Sequence, residues 1–184
     1  MFAITIRVDV IKELTFLATL THRCGPRAQT AYRHIIAYLH EYPAFPMNLR
    51  TDEGDIVVAY ADASYANHVD AKSHSGMFVT IGNNSGPIAV NSKKQKMVTR
   101  TTSESELLSL SGAINQGAGI AKFLHEVKLI EQGGFEIRQD NKSTITIAVD
   151  EEGMGVKMRH FRVRHEFMRE MHRDKKMMID YLCN

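Results

Sequence analysis

Residues 55–64 read Asp-Ile-Val-Val-Ala-Tyr-Ala-Asp-Ala-Ser. β-Branched and aromatic residues fill the run from 56 to 61, which predicts a strand. The apolar run then stops on Asp62, followed by small residues. Two readings of that carboxylate compete. Asp is favoured as a strand-closing turn residue, and it is also the group a strand would hold if the sheet end were reactive.

Outward from this stretch, the chain alternates short β-type runs with helical periodicity. Residues 76–81 (GMFVTI) predict a second strand, 82–86 (GNNSG) a tight turn, and 87–91 (PIAVN) a third strand, together an antiparallel meander. A long helix is expected over about 103–127, where Leu107, Leu110, Ile114, Gly117, Ala121 and Leu124 share one face. Gly133-Gly134 turns the chain into a fourth strand at 135–139. The run 143–149 (STITIAV) is β-branched and leaves helix or strand open. A basic amphipathic segment covers about 159–172, and a fifth strand 177–182. This order describes an α+β domain over residues 54–184, a five-stranded sheet with antiparallel strands 1–3 and helices packed on it. Residues 1–50 read instead as a helical appendage. Val10, Leu14, Leu17 and Leu20 form one stripe, Ala31, Ile35, Ile36 and Leu39 a second, separated by Gly25-Pro26.

The chain has 184 residues, 43% hydrophobic and 24% charged, with a net charge of +2, an ordinary composition for one domain plus an appendage. No apolar run is long enough to cross a bilayer and no signal peptide is visible, so an intracellular protein without a membrane partner is expected. Cys24 and Cys183 lie near opposite ends with no metal-type spacing. Charge is unevenly distributed. Lys93, Lys94, Lys96 and Arg100 occur without an acid among them, and eight Lys/Arg lie between 157 and 176, with His160, His165 and His172 interspersed. Such runs are solvated faces, or surfaces for phosphate. His165-Glu166 begins like a zinc-protease motif, but Arg169 stands where the second His is needed; a basic helix face is the expectation for these histidines.

Three acids fall at element junctions. Glu104 and Glu106 open the long helix, and capping boxes (Thr101 with Glu104, Ser103 with Glu106) would account for both. At about 100° per residue, Glu106 lies at the edge of the apolar stripe, whereas Glu104 points further round toward solvent. Asp140 follows the fourth strand, where an Asx turn or helix cap would explain it. Taken together, Asp62, Glu106 and Asp140 can meet at one end of the sheet. Carboxylates so close repel unless a hard cation joins them. Mg²⁺ suits such a site, and two Mg²⁺ ions would serve phosphodiester hydrolysis.

Four stretches carry a resemblance: ADASYANHVDAKSHSGMFVTIG (61–82), AVNSKKQKMVTRTTSESELLSLSGA (89–113), RQDNKS (138–143) and RHFRVRHEFMRE (159–170). In content and order they resemble the ribonuclease H domain of copia-type retrotransposon polyproteins, over roughly residues 54–182. RVDVIKELTFLATLT (7–21) and AYRHIIAYL (31–39) are similar to the segment joining reverse transcriptase to that domain. The resemblance implies an RNase H-like fold and Mg²⁺-dependent cleavage of RNA in RNA–DNA hybrids, with Mn²⁺ as a substitute. It implies that Asp62, Glu106 and Asp140 are the catalytic, metal-binding acids. Nucleic acid would be held by Lys93, Lys94, Lys96, Arg100, Asn141, Arg159, His160, Arg162 and Arg164. Arg162 stands where many relatives have Asp. The family's fourth acid follows the last strand on a terminal helix, and the sequence ends at Asn184, so the expected fold lacks that helix and one metal position is impaired. The alternative is a domesticated or degenerate domain, a non-catalytic nucleic-acid-binding or structural part of a larger assembly.

Overall fold

The computed structural model describes residues 7–52, 54–131, 133–150 and 161–182. Helices α1 (Ile11–Ala18) and α2 (Pro26–Glu41) come first. Pro26 opens α2, where its missing N–H is an orphan in any case. Leu17 from α1 and Ala28 and Ile35 from α2 are buried in one small apolar cluster.

The sheet has strands β1 (Val57–Ser64), β2 (His74–Ile81), β3 (Ala89–Lys94), β4 (Phe135–Gln139) and β5 (Met177–Tyr181), in the order β3-β2-β1-β4-β5. The pairs β1–β2 and β2–β3 are antiparallel, while β1–β4 and β4–β5 are parallel. Helix α3 (Thr102–Glu126) links β3 to β4, and α4 (Lys142–Val149) and α5 (Arg162–Arg173) lie between β4 and β5. The ambiguous STITIAV run is therefore helical. Asn141 caps it, its Oδ1 accepting from Thr144 N at 3.1 Å, and burial of Thr144 and Ala148 outweighs the weak β preference of the branched residues.

Strand β1 corrects one expectation. It runs three residues beyond 61, and Asp62 lies inside the ladder opposite Gly76 instead of closing the strand. Glycine puts no side chain across from Asp62, so the carboxylate has open space on that face. Strand β3 likewise extends through Lys93 and Lys94, which places those cations on the sheet edge.

Helix α3 covers one sheet face. Leu107, Leu110 and Ile114 pack with Val57, Ala59, Phe135 and Ile137 in the main core, each such side chain contributing roughly 1.5–3 kcal/mol by its removal from water. Gly117 sets how closely helix and sheet approach: a Cβ there would lie 2.8 Å from the Phe135 ring and 3.3 Å from Ala59. On the opposite face Tyr60 and Phe78 stack at 4.2 Å, with the Arg138 guanidinium 5.5 Å from the Tyr60 ring centre. Helix α1 packs near this face: Thr15 Oγ1 donates to Ser92 Oγ on β3 at 2.9 Å, and Phe16 stacks on His68 at 4.8 Å. Among the described residues no helix is long and apolar enough to cross a membrane.

Candidate metal centre

Three elements bring carboxylates together. Asp62 leaves β1, Glu106 leaves the second turn of α3, and Asp140 follows β4, which runs parallel beside β1. Parallel pairing puts the C-terminal ends of β1 and β4 side by side, and the first turns of α3 reach the same end. One oxygen from each of the three lies within 4.8 Å of the others. Asp62 and Asp140 are exposed, whereas Glu106 is buried.

The surroundings are built from side chains that the sequence did not single out. Gln139 is fully buried; its Nε2 donates to Glu106 Oε2 at 3.1 Å, and its Oε1 accepts from Asp140 N at 3.0 Å. Its position was legible in strand alternation, since it shares inward parity with Phe135 and Ile137. Its partner was not. Ser109, one turn beyond Glu106, donates to the carbonyls of Asp62 at 2.6 Å and Gly76 at 3.1 Å, pinning α3 to the β1–β2 pair.

Burial pushes the Glu106 carboxyl up to about 7. The Gln139 amide and the Ala63 backbone N–H oppose that rise, while the Asp62 and Asp140 charges add to it. Three hard oxygen donors in mutual repulsion, open to solvent on two sides, match the donor set of a divalent cation that retains waters. The residues present therefore fit such an ion. Asp62 and Asp140 also line a groove of about 480 Å³, together with Tyr60, Phe78, Arg138 and Lys12 from α1.

Glu104 departs from expectation. It is buried, not turned to solvent: its Oε2 accepts from Arg100 N at 2.6 Å, and Thr101 Oγ1 accepts from Glu104 N at 3.2 Å. The chain folds back over the helix start, so Glu104 serves the cap and Glu106 is left for the site. Asn141, not Asp140, caps α4, which leaves Asp140 free of that role.

The remaining candidates lie away from the three carboxylates, and Lys93, Lys94, Lys96 and Arg164 line one concavity between the loop after β3 and helices α3 and α5. Lys93, Lys96 and Arg100 are exposed, and Lys94 pairs with Asp70 at 2.8 Å. Hydrogen bonding to Lys94, then to Lys72, holds the Asp70 carboxyl down at about 2. Arg162 and Arg164 stand exposed on α5, and Arg159 and His160 lie outside the described residues. His165 corrects the expected basic face: it is buried, with Nε2 against the Ile147 carbonyl at the end of α4.

No protein-family model and no curated protein matches the sequence. Solved structures do. The PFV RNase H domain shares 14% identity over 70% of this chain and 79% of its own, at a TM-score of 0.49. RNase H1 from the archaeon Halobacterium salinarum NRC-1 shares 15% over 68% and 84%, at 0.48. LC11-RNase H1, isolated from compost by a metagenomic approach, shares 13% over 69% and 84%, with a TM-score of 0.50. The fold is RNase H-like.

Within this RNase H-like sheet, the two central parallel strands carry or precede the two aspartates, and the long helix carries the glutamate. The antiparallel half, β1 to β3, brings the lysines of β3 to the edge farthest from β5.

Proposed function

We propose that this chain is a ribonuclease H-type domain of copia-type retrotransposon origin that hydrolyses the RNA strand of an RNA–DNA hybrid with Mg²⁺. The convergence of Asp62, Glu106 and Asp140 within 4.8 Å carries the reading. The order Asp, Glu, Asp along the chain and the motifs 89–113 and 138–143 support the origin. In this reading residues 1–50 are the remnant of a reverse-transcriptase connection, 54–184 are the nuclease domain, and the protein works inside the cell.

Asp62, Glu106 and Asp140 would hold the cation. When bound, it supplies Lewis-acid stabilisation of charge on the phosphodiester and lowers the pKa of a nearby water. Asp62 and Asp140, both exposed, face the incoming backbone. Gln139 keeps the Glu106 carboxylate aimed at them, and Ser109 keeps β1 in place under the helix. Lys93, Lys94, Lys96, Arg100, Arg162 and Arg164 provide the cations that a polyanion needs, and hybrid geometry with ribose 2′-hydroxyl contacts selects the substrate.

The test is cleavage of a labelled RNA–DNA hybrid in Mg²⁺, with Mn²⁺ in parallel, by the wild-type chain and by Asp62→Asn. Cleavage that the substitution reduces to background is expected. Hybrid binding without cleavage in either metal would leave a nucleic-acid-binding or structural subunit, and absence of both would end the reading.

A further inference from the structure

The sheet face opposite α3 carries the groove of about 480 Å³ that Asp62 and Asp140 line. That volume falls within the roughly 300–1,000 Å³ of small-ligand sites. Its floor is a row of flat groups on neighbouring strands. The Arg138 guanidinium lies 5.5 Å from the centre of the Tyr60 ring, and Tyr60 lies against Phe78 at 4.2 Å with the two rings 11° apart. The row ends on Phe78, which is 38% exposed, with Val90 opposite it on β3. Val8 and Ile11 of the N-terminal segment line the same groove. A flat ring entering here meets aromatic and aliphatic carbon.

The polar lining is sparse and charged. Lys12 of α1 is exposed and pairs with no carboxylate among the described residues. Arg138 Nε donates to Glu136 Oε1 at 2.6 Å and Nη1 to Tyr60 Oη at 3.0 Å, which leaves Nη2 unengaged among the described residues. Between Phe78 and the carboxylates lies Gly76, two residues from Phe78 along β2 and paired with Asp62. A Cβ added at Gly76 would meet nothing within 4 Å, so the passage from the aromatic row to the carboxylates is open. Phe78 and Asp62 are diagonal neighbours across the β1–β2 pair, roughly 7–8 Å apart.

We propose that this groove binds a free nucleoside 5′-monophosphate, its base on the exposed face of Phe78, its ribose over Gly76 and its phosphate at the carboxylate centre. The proposal rests on the reading of that centre as a divalent-cation site, because Asp62 and Asp140 repel a phosphate unless a cation joins them. The aromatic row selects a heteroaromatic ring and tolerates any base, since every base has a π-face to stack. Lys12 and Nη2 of Arg138 add charge complementary to the phosphate. Ribose phosphate alone would leave Phe78 uncovered, and a nucleoside alone would leave the carboxylate end empty. An occupied groove holds a phosphate where the scissile phosphodiester has to sit, so free mononucleotide competes with the hybrid.

The experiment is calorimetric titration of the full chain with AMP, adenosine and ribose 5-phosphate, in Mn²⁺ and in EDTA. AMP should bind in Mn²⁺ more tightly than either fragment, and at least about tenfold more weakly in EDTA. Phe78→Leu keeps an apolar side chain and removes the ring. It should weaken AMP about 5- to 100-fold and leave the affinities for Mn²⁺ and ribose 5-phosphate unchanged. Lys12→Ala, on the surface of α1, should weaken AMP and ribose 5-phosphate alike and leave adenosine unchanged. AMP binding no tighter than that of ribose 5-phosphate, or insensitive to both substitutions, would overturn the proposal. So would a chain that binds Mn²⁺ and not AMP. Hybrid cleavage is scored separately: AMP bound in Mn²⁺ by an inactive chain keeps the nucleotide site and removes the nuclease, and cleavage unaffected by saturating AMP does the reverse.

Discussion

The side-chain amide of Gln139 donates to Glu106 Oε2 at 3.1 Å across the junction of β4 and α3. Through its other end the same amide accepts from Asp140 N, so one buried side chain sets two of the three acids relative to each other. Gln139→Leu keeps the volume and removes both bonds. Loss of about 1–3 kcal/mol of stability is expected, the penalty of leaving buried partners unsatisfied. Affinity for Mn²⁺ should fall about 10- to 100-fold, as for other groups that orient metal ligands. Urea unfolding and calorimetric Mn²⁺ titration measure the two effects; unchanged metal affinity would reduce Gln139 to a packing residue.

Glu106 makes stability depend on pH. Its carboxyl titrates near 7 in the folded chain against an ordinary 4.5. Between those values this carboxyl binds more proton in the folded state than in the unfolded one, so its contribution to the stability of the metal-free protein falls as pH rises from 4.5 to about 7 and changes little above. The size is on the order of 2–3 kcal/mol. Glu106→Gln should remove that falling component, so that the variant's stability rises more steeply than the wild type's between pH 4.5 and 7 in urea unfolding. A divalent cation at the carboxylate centre would replace the proton, so Mg²⁺ or Mn²⁺ should raise the melting temperature more at pH 8 than at pH 6.

A histidine pair adds the opposite slope over an overlapping pH range. His68 Nε2 and His74 Nδ1 lie 3.0 Å apart, one donating to the other, beneath Phe16, Thr15 and Thr19 of the N-terminal segment. Burial, then His68 and Lys12, push His74 down to about 4; burial and Lys94 lower His68, opposed by Asp70. Both rings are neutral when folded near pH 7, and the unfolded chain takes up protons first. Their contribution is therefore present above pH 6.5 and is lost as pH falls toward 4. Hydrogen exchange of α1 amides, corrected for intrinsic rates, should show less protection at pH 5 than at pH 7, and His74→Phe should remove most of that difference.

Much of this architecture was legible in one dimension. Phe135–Gln139 reads as a strand because apolar side chains alternate with polar ones, and the α3 stripe from Leu107 to Leu124 repeats at helical spacing. These patterns depend on each residue's neighbours along the chain, which is why they survive without coordinates. The order of the three acids was equally visible, since it is a property of sequence alone.

Spatial decisions belonged to the tertiary structure. STITIAV became a helix because Asn141 caps it and the core takes Thr144 and Ala148. Glu104 turned inward because the chain folds back onto the helix start, and His165 is buried because α5 lies against the end of α4. Asp62 sits within β1, not at its end, because Gly76 extends the ladder past it. Parallel pairing of β1 with β4 places Asp62 beside Asp140, and Gln139 then aims Glu106 between them. Local propensity and periodicity specify which side chains each element carries. Which of them meet depends on strand order and helix docking, contacts between residues tens of positions apart that no local pattern records.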